Sequence, residues 1–202
     1  MKTWLKISLP LFAGLLLAFV TVGEIRQMSE GGEKMYSVEI DKHDFLPNAL
    51  PWPYFGAREY EFSIRFDSSA WWSIEDQDYH YGNDIYDWNK IGGLTNYFTA
   101  NNKQSVLVGW RPSPDWMVME LAAYVNDKYG GFKAGPARLV PVGIDTRGKI
   151  NQFGSVAYFA YGDTIISLPA KKAFVTREVD VWFGGNRPAH KAMTIWKSRN
   201  IR

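Results

Sequence analysis

The chain is 202 residues long, enough for one sizeable domain or two small ones, and 46% of it is hydrophobic, so a full core can be built. With 23 basic and 21 acidic residues its formal charge is +2, which gives no electrostatic case for a nucleic-acid partner. Cysteine is absent, which excludes disulfides, thiolate metal sites, a cysteine nucleophile and a lipid-modified N-terminal cysteine, while 16% aromatic content favours pleated, half-buried strands.

Lys2 and Lys6 flank the start of an apolar run from Ile7 to Val22, interrupted by Ser8, Pro10, Gly14 and Thr21. A basic head followed by such a run is an export signal. Thr21 and Gly23 are the small residues a signal peptidase reads, whereas the run itself approaches the ~17 residues needed to cross a bilayer. Residues 1–23 are therefore either a cleaved signal peptide or an uncleaved anchor, a hydrophobic helix touching the membrane through residues 4–22. A buried core helix is the plainer alternative, opposed by lysines that precede the run and a polar linker that follows it. The run's length leans toward the anchor, and in either case the remainder lies outside the cytoplasm. Residues 24–35, polar and containing Ser29-Glu30-Gly31-Gly32, form a linker, and residues 36–202 form the domain.

Within the domain, Tyr36 to Ile40 is a first strand. Pro47, Pro51 and Pro53 then forbid a long helix and imply an irregular crossover. From Glu59 to Phe66 the alternation is complete: Tyr60, Phe62, Ile64 and Phe66 on one face, Glu59, Glu61, Ser63 and Arg65 on the other. Ser69 to Ile74 reads as a strand that sends Trp71 and Trp72 to opposite faces. Residues 75–89 are an acidic, aromatic loop, and Gly92-Gly93 and Gly184-Gly185 read as turn glycines.

Ser105 to Val125 is the central hairpin. Val106, Val108 and Trp110 share a face, with only Leu107 blurring the pattern, and Pro112 and Pro114 force the turn. Trp116 to Val125 is apolar except at Glu120, so both of its faces need cover; a helix is the rival reading there, because Met, Glu, Leu and Ala favour helices. Hairpins are expected about Asp145-Thr146-Arg147-Gly148 and about Tyr161-Gly162-Asp163, followed by a long strand from Ala173 to Phe183 and a last one from Lys191 to Trp196. Short strands with Gly/Asp turns describe an all-β, antiparallel β-sandwich.

Three stretches occur in order: Asp87-Trp88-Asn89-Lys90-Ile91-Gly92-Gly93, then Asn102 to Arg111, then Phe183-Gly184-Gly185-Asn186-Arg187-Pro188-Ala189-His190. They resemble a set of bacterial and phage-associated jelly-roll (concanavalin-like) sandwich proteins, with Pro188-Ala189 standing where Ala-Pro is usual. The resemblance implies the fold and carries no catalytic residue with it.

Two surfaces offer chemistry. Asp76, Asp78, Asp84 and Asp87 are oxygen donors of the kind Ca²⁺ takes, although their spacing matches no known calcium loop and charged loops are commonly just solvated. Trp71 or Trp72, with Tyr79, Tyr81, Trp88 and Asn89, could make a sugar-stacking platform, against core packing as the plainer role for each tryptophan. His80, Arg111 and His190, with Tyr81, could be assembled into the base and charge-neutralising groups of a polysaccharide lyase, but no Ser-His-Asp, His-Glu-x-x-His or phosphate-cradling pattern is present. The expectation is an extracytoplasmic β-sandwich that binds carbohydrate or another envelope component. A polysaccharide-degrading enzyme and an assembly part without small ligand are the alternatives.

Overall fold

A computed structural model describes residues 32–46, 52–73, 87–171, 173–184 and 188–202. The apolar segment 1–23 lies outside them; among the described residues no helix is long and apolar enough to cross a membrane. The strands are β1 (Lys34–Val38), β2 (Tyr54–Phe55), β3 (Glu59–Phe66), β4 (Asn89–Asn96), β5 (Ser105–Pro112), β6 (Val118–Asn126) and β7 (Phe132–Ala134). They continue as β8 (Arg138–Pro141), β9 (Thr146–Phe153), β10 (Val156–Tyr161), β11 (Thr164–Pro169), β12 (Val175–Val179) and β13 (Met193–Ile201).

Every pairing is antiparallel. One sheet runs β1-β13-β3-β9-β10-β11 and the other β2-β12-β4-β5-β6-β7, with β8 on β6. β3 pairs with β13 in the first sheet while β4 pairs with β12 in the second, so the chain's two ends wrap together across both layers, as in a jelly roll. Within the stretch 116–125, Trp116 and Met117 close the turn and Val118 onward is strand, so the helix reading is excluded.

The core fills the space between the sheets. β3 buries Tyr60, Phe62, Ile64 and Phe66, while β5 answers with Val106, Val108 and Trp110. Trp110 is fully enclosed, its ring 5.3 Å from Phe66, 6.1 Å from Trp72 and 6.4 Å from Phe183. Burying each such side chain is worth about 1.5–3 kcal/mol, and without disulfides this packing carries the stability.

Several local expectations are corrected. Ser68–Ala70 is a 3-10 turn, capped by the Asp67 carboxylate accepting from the Ser69 amide at 2.9 Å, so Trp71 and Trp72 follow it on irregular chain instead of a strand. Gly148 is a strand glycine: a Cβ there would lie 2.3 Å from Phe62, and β8 and β9 belong to different sheets, so the expected hairpin at 145–148 is a crossover. Gly92 and Gly93 sit inside β4 beside a bulge; a Cβ would meet the Tyr60 hydroxyl at 2.2 Å at the first and the Val106 carbonyl at 2.2 Å at the second. The strand expected over 173–183 ends at Val179, where the Asp180 carboxylate accepts from the Val181 amide and the phase slips. Val179 thus faces away from Val181 and Phe183.

Between the sheets, beside β12 and β13, lies a buried polar cluster. Lys197 Nζ is 3.3 Å from Glu178 Oε1, donates to the Ile91 carbonyl at 3.2 Å and contacts Asp180; Arg199 reaches Glu178 Oε2. Burial opposes the charge on Lys197, yet the facing Tyr60, Glu178 and Asp180 hold its amine well above the ordinary lysine value.

Candidate functional site

The residues of β5 that point away from the core are Ser105, Leu107, Gly109 and Arg111. Across the ladder they face Asn126, Tyr124, Ala122 and Glu120 of β6, and Thr95, Gly93 and Lys90 of β4 lie beside the first three. Over the middle strands this outward face is also buried: Leu107, Tyr124 and Val179 form a second small apolar cluster with Trp88 against it. That explains why Leu107 broke the alternation.

The accessible end of this face is built around Trp88. Its ring lies on Gly109, where a Cβ would come 3.1 Å from Cε3, so the absence of a side chain there makes room for it. The guanidinium of Arg111 sits 4.4 Å from the Trp88 ring centroid. Its Nε donates to Glu120 Oε2 at 2.6 Å, with the two side chains only 24% and 15% exposed. Arg111 is therefore aimed by a ring and a carboxylate at once, which removes much of the entropy an arginine otherwise loses on meeting an anion.

Next to it, Lys90 Nζ donates to the Trp88 carbonyl and stands 3.8 Å from the Tyr124 ring centroid. Desolvation lowers this amine from 10.5 to about 7, with Asp87 acting in the opposite direction. Burial raises the Tyr124 phenol to about 12. Phe132 stacks on Tyr124 at 5.1 Å and 11°. The face can thus present a fixed guanidinium, a carboxylate and aromatic surface, with the Lys90 amine buried beside them.

The structure separates the residues singled out by sequence. Trp88 and Arg111 come together. Asn89 is buried just beneath, its Oδ1 accepting from the Gly184 amide at 2.8 Å. Trp72 is 2% exposed inside the core, so its ring cannot serve as a platform, and His190 packs against it at 5.0 Å. His190 and Arg111 therefore lie on opposite sides of the second sheet and share no cleft. Trp71 pins the β5–β6 turn, its indole donating to the Ser113 and Asp115 carbonyls at 3.3 and 3.1 Å. Tyr79, His80, Tyr81, Asp76, Asp78 and Asp84 lie outside the described residues. Asp87 is described, and among the described residues no group of three His, Asp or Glu could hold a metal.

Sequence reasoning missed Lys90, Glu120 and Tyr124. Glu120 carried a signal: it interrupts the apolar run from Trp116 to Val125, and it lies opposite Arg111 once the hairpin register is drawn. A second opening, a groove of about 1190 Å³ on the outer face of the first sheet, is lined by Glu61, Arg147, Lys149 and Asn200 among others. Lys149 there is bound by Glu59 at 2.6 Å and Glu61 at 3.2 Å, and Arg147, Arg199 and Arg202 also line the groove.

No family model matches the chain, and no curated protein matches it. Among solved structures it is similar to an alginate lyase from Alteromonas sp. 272, with TM-score 0.48 and 8% identity over 87% of this chain and 90% of that one. It is also similar to the carbohydrate binding module CBM66 from Bacillus subtilis, with TM-score 0.40 and 13% identity over 84% and 97% of the two chains. No residue role is carried across at these values. What the strands themselves define is an all-β, two-sheet antiparallel sandwich of jelly-roll type.

Proposed function

We propose that the chain is a carbohydrate-binding β-sandwich module that works outside the cytoplasm, reached through export or anchoring by residues 1–23. The observation that carries this reading is the Trp88–Arg111–Glu120 arrangement. A guanidinium held over an indole and fixed by a carboxylate is a prepared site for a carboxylate group. Because Arg111 occupies one face of the ring, recognition of a charged sugar is favoured over simple stacking of a neutral one.

A second reading, cleavage of an acidic polysaccharide, is favoured by Lys90. An amine near pKa 7 beside a fixed guanidinium can accept a proton next to a carboxylate that the guanidinium neutralises.

Titration of the purified chain with a soluble polyuronate and with a neutral glucan tests both. Binding of the polyuronate that is lost in Trp88→Ala and Arg111→Ala supports recognition. Unsaturated product that disappears in Lys90→Met supports cleavage. Equal and weak response to both polymers, unchanged in the variants, overturns both readings.

A further inference from the structure

The end of the sandwich opposite Arg111 has a different chemistry. Three loops meet there: residues 97–104 between β4 and β5, residues 127–131 between β6 and β7, and the chain entering β12 at Phe174. Backbone hydrogen bonds tie them together, from the Gln104 amide to the Asp127 carbonyl at 2.9 Å and from the Tyr97 amide to the Val175 carbonyl at 3.0 Å. The Gly56 amide adds the β2 end through the Phe174 carbonyl at 2.8 Å.

Each loop puts one large ring into solvent. Phe98 is 80% exposed, Tyr129 78% and Phe174 72%. Single exposed apolar residues are ordinary, but turn tips favour Gly, Asn, Asp and Ser, and three rings on three adjoining tips are not explained by folding. The tips are also basic. Arg58, Lys103, Lys128 and Lys171 are all exposed at this end, whereas the chain as a whole is nearly balanced. Asp127, the acid within these loops, spends its carboxylate on the turn itself, accepting from the Tyr129 amide at 2.7 Å and the Gly131 amide at 3.0 Å.

The rings are held on ordered turns. The Phe98 amide donates to Asn96 Oδ1 at 3.1 Å, and Arg177 clasps the same loop through Asn101 and the Thr99 carbonyl. Phe174 is buttressed edge-on by Phe55 at 6.4 Å, and Lys128 Nζ sits 4.6 Å from the Tyr129 ring. Little ordering entropy remains to be lost on contact.

We propose that this end docks onto an anionic phospholipid surface, with Phe98, Tyr129 and Phe174 entering the interface and Lys103, Lys128, Lys171 and Arg58 facing the headgroups. Aromatic rings favour the boundary between headgroup and acyl chain, and lysines beside them gain from the negative surface potential. Charge complementarity selects this occupant, since a second copy of the same basic tip would bring like charges together.

The absence of native cysteine allows unique labelling of the full chain. Phe98→Cys, Phe174→Cys and, as a far-end reference, Ile144→Cys are labelled with an environment-sensitive fluorophore and mixed with vesicles. With phosphatidylcholine–phosphatidylglycerol vesicles, labels at 98 and 174 shift to the blue and lose iodide quenching several-fold, while the label at 144 stays accessible. With phosphatidylcholine alone, or with Lys103→Glu, Lys128→Glu and Lys171→Glu combined, the protection is lost. An anchor at residues 1–23 would insert in both vesicle types and so cannot mimic this contrast. The proposal is overturned if labels at 98 and 174 remain as accessible as 144. It is equally overturned if their protection is the same in neutral vesicles, survives the charge reversal, or appears without vesicles as protein concentration rises.

Discussion

The guanidinium of Arg111 lies 4.4 Å from the ring centroid of Trp88 while its Nε meets the Glu120 carboxylate at 2.6 Å. Of this cation's partners, one is contributed by the strand across the hairpin and one by the chain just ahead of β4. In a double-mutant cycle monitored by urea unfolding, Arg111→Ala and Trp88→Ala should show a coupling of about 0.5–2 kcal/mol, the range for a cation over a ring that is partly desolvated. Arg111→Lys should lose most of that coupling, because an ammonium cannot lie flat on the indole while donating sideways to Glu120. Coupling unchanged in the lysine variant would show that charge alone holds the pair.

Lys197 and Glu178 make the opposite kind of pair, with both side chains essentially sealed from water at 0% and 2% exposure. Removing one partner leaves a charge in the core. Lys197→Met should therefore destabilise the sandwich by about 3–5 kcal/mol, read as a lower urea midpoint. Glu178→Gln combined with Lys197→Met should recover part of that loss, because the desolvated carboxylate is gone. A double variant no more stable than Lys197→Met would mean that Asp180 and Arg199 dominate the cluster.

Where one face was wet and the other dry, the alternation alone placed the side chains. β3 buries Tyr60, Phe62, Ile64 and Phe66 in the expected phase; the Val106–Val108–Trp110 side of β5 also faces the core, although the other side of that strand is covered as well. The layer partners were not legible, since which strand covers another depends on contacts far apart in the chain. Lys197 and Arg199 illustrate this. They share the inward phase of Met193, Ile195 and Ile201, a hint of a polar core, but their partners on β12 appear only when the sheets stack. Lys90 was illegible for the same reason: one amine on a strand says nothing about the second apolar cluster that desolvates it. The glycines misled because Gly92, Gly93 and Gly148 serve close packing against Tyr60, the Val106 carbonyl and Phe62, not turns.

The Lys90 amine, lowered from 10.5 to about 7, makes stability depend on pH in a definite direction. Between those two values the unfolded chain binds a proton that the folded chain does not, so this site's contribution to stability rises with pH across that window. Below about pH 7 the folded protein must carry a poorly hydrated charge, and there the cost is full. Lys90→Met should accordingly stabilise the chain by about 1–3 kcal/mol at about pH 6, with the gain shrinking toward about pH 9.5. Urea unfolding of both proteins at the two pH values measures this. A gain that is independent of pH would place the titration elsewhere.

Gly148 and Gly143, five residues apart in sequence, should respond to alanine for different reasons. At Gly148 a Cβ would lie 2.3 Å from Phe62 Cζ and 3.0 Å from Tyr161 Cδ1, two rings locked edge-to-face at 6.3 Å in the core. Neither ring can retreat without losing its other contacts, so Gly148→Ala should cost about 1–3 kcal/mol by overpacking. At Gly143 there is open space, but φ is +81°, a left-handed conformation that costs an alanine about 1 kcal/mol. Asn tolerates such backbone better than Ala, so Gly143→Asn should regain part of the loss, whereas Gly148→Asn should be worse than Gly148→Ala because its larger side chain enters the same closed space. Thermal unfolding of the four variants separates the two mechanisms, and a rescue by Asn at position 148 would contradict the packing of Phe62 and Tyr161 over that strand.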